Sequence, residues 1–129
     1  MARLFLGFAG LNGALWLILS AYIVHGMADL STKDISSLAI ASGFALIHSL
    51  FLMQLGLNIG SSDEEGRLKL PKAAGLLLIF GILLFCFIIL FKVLWPASII
   101  AALSPLTPFG GMALISAWLL IALQGFYRK

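Results

Sequence analysis

Four stretches of the chain, Leu4 to Val24, Leu38 to Ile59, Ala73 to Phe91 and Phe109 to Phe126, contain no Asp, Glu, Lys or Arg. A helix rises 1.5 Å per residue, so about 20 uncharged residues cross a hydrocarbon core about 30 Å thick. The expected fold is therefore an all-α integral membrane protein. Four transmembrane helices would form an up-down bundle in a single domain of 129 residues. The first run is long for the hydrophobic region of a signal peptide, so it is expected to remain as a span.

Composition removes the soluble alternative. The chain is 62% hydrophobic and 10% charged, whereas soluble domains carry about 25% charged residues. The net charge of +3 does not point to nucleic acid. Its basic residues sit at the ends of apolar runs instead of forming the continuous stripe a phosphate backbone needs. That placement instead sets orientation. Four crossings put Arg3, Arg67, Lys69, Lys72, Arg128 and Lys129 on one side, and Lys33 and Lys92 on the other. Excess Lys and Arg marks the cytoplasmic face. Both termini are expected there, or on the equivalent side of an organelle membrane.

The connections differ in kind. His25 to Ser37 is a polar turn with capping residues, among them Asp29, Ser31 and Asp34. Gly60 to Lys72 is strongly hydrophilic, and its Pro71 suits the opening of the third helix. Its acids Asp63, Glu64 and Glu65 read as a solvated face. Pro96 to Pro108 is apolar, which a solvated loop should not be. A short helix lying in the membrane interface, from about Ala97 to Leu103, accounts for it. Thr107 and Pro108 then read as the cap and first turn of the fourth helix.

Because lipid tails are as apolar as Leu, helices in a bilayer associate through small residues and polar bonds. Gly7, Gly10, Gly13 and Ala14 recur at helical spacing in the first run, and Ala41, Ala45, His48 and Ser49 in the second. Gly110, Gly111, Ala113 and Ala117 do so in the fourth. These are the expected packing faces. The third run is bulky on nearly every side, with Gly81 its notch. It is expected to be the most lipid-exposed helix, or a surface offered to a partner.

Polar residues at bilayer depth are the candidates for function. His48 lies roughly 16 Å into its run at 1.5 Å per residue, on the face that carries small residues. It is expected to point into the bundle as a neutral imidazole, hydrogen-bonded to a Ser, to Asn12 or to a backbone carbonyl. The competing role is as a ligand for a lipid, quinone or haem. Its neighbour Ser49 makes no hydrolase with it, since adjacent helical residues diverge and no buried carboxylate orients the ring. His25 closes the first helix beside Tyr22, where a cation suits a helix C-terminus. The two histidines should differ in height by more than about 10 Å, which opposes a bis-His haem within one chain. His48, His25, Asn12 and Tyr22 are the ligand-binding candidates. Asn12 and Gln54 also read as inter-helix glue. Cys86 has no partner for an internal disulfide, and no CxxC, GxGxxG, GxxxxGK[ST] or HExxH pattern occurs. No metal, cofactor or catalytic residue is expected.

Several segments resemble a known family. They are Leu11-Asn12-Gly13-Ala14 leading to His25-Gly26, Ile47-His48-Ser49-Leu50, and Gly81-Ile82-Leu83-Leu84-Phe85. The most specific is Leu106-Thr107-Pro108-Phe109-Gly110-Gly111, followed by Trp118-Leu119-Leu120. In order and spacing they resemble the domain-of-unknown-function 423 family. These are small four-helix membrane proteins of bacteria, with a eukaryotic relative called transmembrane protein 256. Ser20-Ala21-Tyr22-Ile23-Val24-His25 departs from the small-residue stretch the family tends to carry there. The resemblance implies the four-helix fold and supplies no activity. The expectation for function is an accessory or structural subunit that packs, with membrane lipids around it, against other membrane subunits or itself. The alternatives are a small lipid, quinone or haem binder using His48, or an oligomeric transporter component.

Overall fold

A computed structural model of the chain describes residues 1–26, 30–61 and 69–127. Helix α1 runs Ala2–Gly26, α2 Thr32–Gly60 and α3 Lys69–Ile82. A π-helical turn, Leu83–Phe87, leads into α4, Ile88–Leu94. After α5 (Ile99–Ala102) and a 3-10 turn (Ser104–Leu106), α6 runs Thr107–Tyr127. The described residues contain no strand. They form four spans long and apolar enough to cross a membrane, the third being the continuous Lys69–Leu94. The acids Asp63, Glu64 and Glu65, with Asp29, Arg67, Arg128 and Lys129, lie outside the described residues.

The helices outrun the apolar stretches that announce them. Helix α2 starts at Thr32, ahead of Leu38, because Ser31 caps it. The Ser31 Oγ accepts the Asp34 N–H at 3.2 Å and donates to Asp34 Oδ2 at 2.6 Å. Asp34 also places an acid in the first turn, where the helix dipole favours it. The 29 residues of α2 extend about 43 Å at 1.5 Å each, so its ends reach past the hydrocarbon core or the helix tilts.

The apolar connection holds a shorter helix than the sequence suggests. Helix α5 is a single turn, capped by Ser98, whose Oγ accepts the Ala101 N–H at 3.1 Å. Ala101 is buried while Ile99 is 86% exposed, so the outer side of this turn is apolar and the rest of the described chain does not cover it. The 3-10 turn with Pro105 near its start then leads into α6. Thr107 is not the cap expected of it. Its φ of −52° and ψ of −42° are already helical.

Helix α1 packs along α2, α6 packs along α3, and α2 also lies against the third span. This arrangement overturns the expectation for the third span. Of its most apolar stretch 44% is buried, against 22% in the first and fourth spans. Its bulk does not expel it to lipid, because its neighbours supply the gaps. Phe5 lies over Gly75, leaving no room there for a Cβ. Leu114 and the Gly110 carbonyl close on Gly81.

The small residues divide in the same way. A Cβ added at Gly110 would come 2.6 Å from the Phe85 backbone nitrogen, so this glycine admits the backbone of the third span. Gly111 is roomier, with the Phe85 ring 3.7 Å from an added Cβ. Ala45, Ala113 and Ala117 are buried. Gly7, Gly10 and Gly13 do not pack within the chain, for a Cβ on any of them meets nothing within 4 Å. Phe5, Ala9, Asn12, Trp16 and Ile23 form the buried stripe of α1, which turns those glycines off the contact face.

Candidate functional site

The polar groups at mid-depth gather on α2, and they point to two different helices. Successive helical residues diverge by about 100°. Ser49 therefore meets α1, and His48 meets α6.

Toward α1, the Asn12 amide nitrogen donates to Ser49 Oγ at 2.7 Å. Ser49 Oγ in turn donates to the Ala45 carbonyl at 2.7 Å. Farther along, Ser20 donates to the Trp16 carbonyl at 2.6 Å and is hydrogen-bonded to Ser42. Among the described residues, Asn12, Ser42, His48 and Ser49 are the buried polar ones.

Toward α6, the Trp118 indole Nε1–H donates to His48 Nε2 at 3.1 Å. An indole N–H can only donate, so Nε2 is the unprotonated nitrogen. The proton is on Nδ1, which donates to the Phe44 carbonyl at 2.6 Å. The network thus assigns a neutral Nδ1–H tautomer, with both ring nitrogens occupied. Aromatic rings surround the pair. Trp118 lies on Phe51 with centroids 4.3 Å apart, and its ring plane stands at 76° to that of His48. Phe44 meets the His48 edge at 5.8 Å and stacks on Phe85 at 5.4 Å. Three spans are tied together through one imidazole and its flanking rings.

This arrangement limits the chemistry available. An imidazole binds a metal or haem iron through a nitrogen lone pair, and the lone pair of His48 faces the Trp118 N–H. Among the described residues no group of three or more His, Cys, Asp or Glu could hold a metal ion. His25 and Tyr22 are exposed at the end of α1. Asn12 sits across α2 from the His48 contact. The structure therefore does not bring these four candidates into one pocket. Gln54 is exposed. The further site residue is Trp118, which the sequence places in a family-like segment but does not single out as a partner of His48. Its signal was a ring N–H within an apolar span, a donor that needs an acceptor where acceptors are few.

A family described as "Protein of unknown function (DUF423)" matches residues 19–111, a stretch that contains His25, His48 and the Thr107 to Gly111 segment. The chain belongs to this family. A relative from Staphylococcus epidermidis, called a UPF0382 membrane protein, is 30% identical over 94% of this chain and 93% of its own. A UPF0382 membrane protein of Staphylococcus saprophyticus is 28% identical over 96% of this chain and 98% of its own. No solved structure matches the chain. The relatives' names agree with the four apolar helices in making this a membrane protein, and neither they nor the DUF423 description names an activity.

Proposed function

We propose that this DUF423 protein is a non-catalytic accessory or structural subunit of a larger membrane assembly. The observation that carries the reading is the engagement of His48. The polar side chain best placed for intramembrane chemistry has both nitrogens bound, one to its own helix and one to α6. It acts as a latch between helices, and a haem or quinone seeking that nitrogen would first have to displace Trp118. The outer face of α1, with open space over Gly7, Gly10 and Gly13, is where a helix of another subunit or a second copy would approach most closely.

The membrane is proposed to be the bacterial inner membrane, with both termini cytoplasmic. Lys and Arg support this, six on the terminal side against Lys33 and Lys92 on the other, out of 8 in all. A reporter fused after Lys129 should be active only in the cytoplasm, and activity only outside would overturn the orientation. Purification from the native membrane in mild detergent tests the role. Stoichiometric companion chains, or a self-assembled oligomer, are expected. A monomer that carries bound pigment or quinone, lost in His48→Leu with the fold intact, would replace this reading with that of a ligand binder.

A further inference from the structure

The end of the third span carries an open groove of about 610 Å³, lined by Phe91, Leu94, Trp95, Pro96, Ala97 and Ser98. The span ends at Leu94, so the groove lies where a bilayer passes from acyl chains to headgroups. Trp95 leaves helical geometry, with φ −137° and ψ 70°, and Pro96 has no N–H with which to resume the helix. The Trp95 ring sits 5.3 Å from that of Phe91, their planes tilted by 42°, and Trp95 is 54% exposed. Ser98 is the one polar side chain of the lining, and its Oγ is engaged in capping α5. The groove therefore suits a hydrocarbon guest, and its volume falls within the roughly 300–1,000 Å³ of small-molecule sites.

Lys92 stands at the rim and gives the guest a charge. It adjoins Phe91 and precedes Trp95 by three residues, a spacing that puts helical side chains side by side. It is exposed, and it is the cation of the last turn of α4. No Asp or Glu lines the groove. A Lys stem can lie along an apolar surface while its ammonium reaches the headgroup level. We propose that the groove and Lys92 together bind one anionic membrane phospholipid. An acyl chain lies against Phe91, Leu94 and Trp95, and the headgroup phosphate meets the Lys92 ammonium. An apolar partner helix would fill the groove and leave the cation unmatched. A zwitterionic lipid brings its own cation beside the phosphate. A net negative headgroup matches both the groove and its rim.

Trp95 itself reports the test. The full-length protein is reconstituted in phosphatidylcholine vesicles containing a small fraction of phosphatidylglycerol whose acyl chains carry bromine, a short-range quencher of indole fluorescence. A parallel sample carries the same fraction of brominated phosphatidylcholine. The emission of Trp95 is the difference between the wild type and Trp95→Phe, which retains Trp16 and Trp118. Brominated phosphatidylglycerol is expected at Trp95 at roughly five times the level of brominated phosphatidylcholine, the preference that one Lys gives near an anionic surface. Lys92→Gln should abolish that preference. Lys33→Gln, which removes the other basic residue assigned to this side, should leave it. Equal quenching by the two lipids would overturn the proposal, since any lipid then covers the groove. So would a preference that survives Lys92→Gln, or an absence of quenching by either lipid, which would mean that protein fills the groove. If Lys92→Gln does not reconstitute, the wild-type comparison of the two lipids decides alone.

Discussion

The α1–α2 seam and the contact between α6 and the third span are both helix pairs in lipid, yet they are held by different means. The first is joined through side-chain hydrogen bonds, Asn12 to Ser49 and Ser20 to Ser42. Three of the glycines on α1 face away from it. The second is joined by backbone approach, with Gly110 against Phe85 and Gly81 against Leu114. Ala113 and Ala117 are buried beside them. Without a hydrophobic drive between helices, polar bonds and close packing are the two adhesives available. They fail differently. A lost polar bond removes one modest contribution, whereas a side chain forced into a backbone contact displaces the whole helix. His48 and Trp118 bridge the two pairs, from α2 to α6.

The largest effect should follow from Gly110→Leu. Even a Cβ meets the third-span backbone there, so a cost of about 3 kcal/mol or more is expected, at the upper end of overpacking. Phe87→Leu, on a half-buried ring, should cost about 1 kcal/mol. Reversible unfolding in mixed micelles would rank the two, and greater sensitivity at Phe87 would break the contrast. Next comes the polar seam. Ser49→Ala removes the acceptor of Asn12 and should cost about 0.6–1.7 kcal/mol, the range of intramembrane hydrogen bonds. A cost equal to that of Gly110→Leu would show that the two seams are not held differently. The smallest effect is expected at Gly7→Leu. Open space surrounds that position, so the stability of the isolated chain should change by less than about 0.5 kcal/mol. The same substitution should reduce recovery of companion chains from native membranes. An unfolded Gly7→Leu chain would place α1 in a contact that this fold does not contain.

The four spans were legible because an unpaired charge is too costly at bilayer depth, so runs free of charge mark the crossings. Their ends were less legible. Helical geometry continues into polar flanks such as Thr32 and Lys69, where caps and turn chemistry, not hydropathy, decide the boundary. Hydropathy also says nothing about which helices are neighbours. The third span therefore looked most suited to lipid and is the most enclosed. Glycine spacing is equally mute on direction. Gly7, Gly10 and Gly13 carry the same pattern as a packed face, but Asn12 and Trp16 turn the opposite side of α1 to the bundle. His48 stood out as a lone imidazole in an apolar run. Its partner lies 70 residues away, and no local pattern joins Trp118 to it.

The central claim is that His48 is a latch to α6, and a double-mutant cycle between His48→Leu and Trp118→Phe tests it most directly. Stability of the wild type, both single variants and the double variant would be measured in the same micelles. If the indole-to-imidazole bond holds the helices together, the two losses are coupled by about 0.6–1.7 kcal/mol. The double variant then loses less than the sum of the singles. Strict additivity, with each variant destabilising independently, would contradict the latch and return His48 to the list of residues free to bind a ligand.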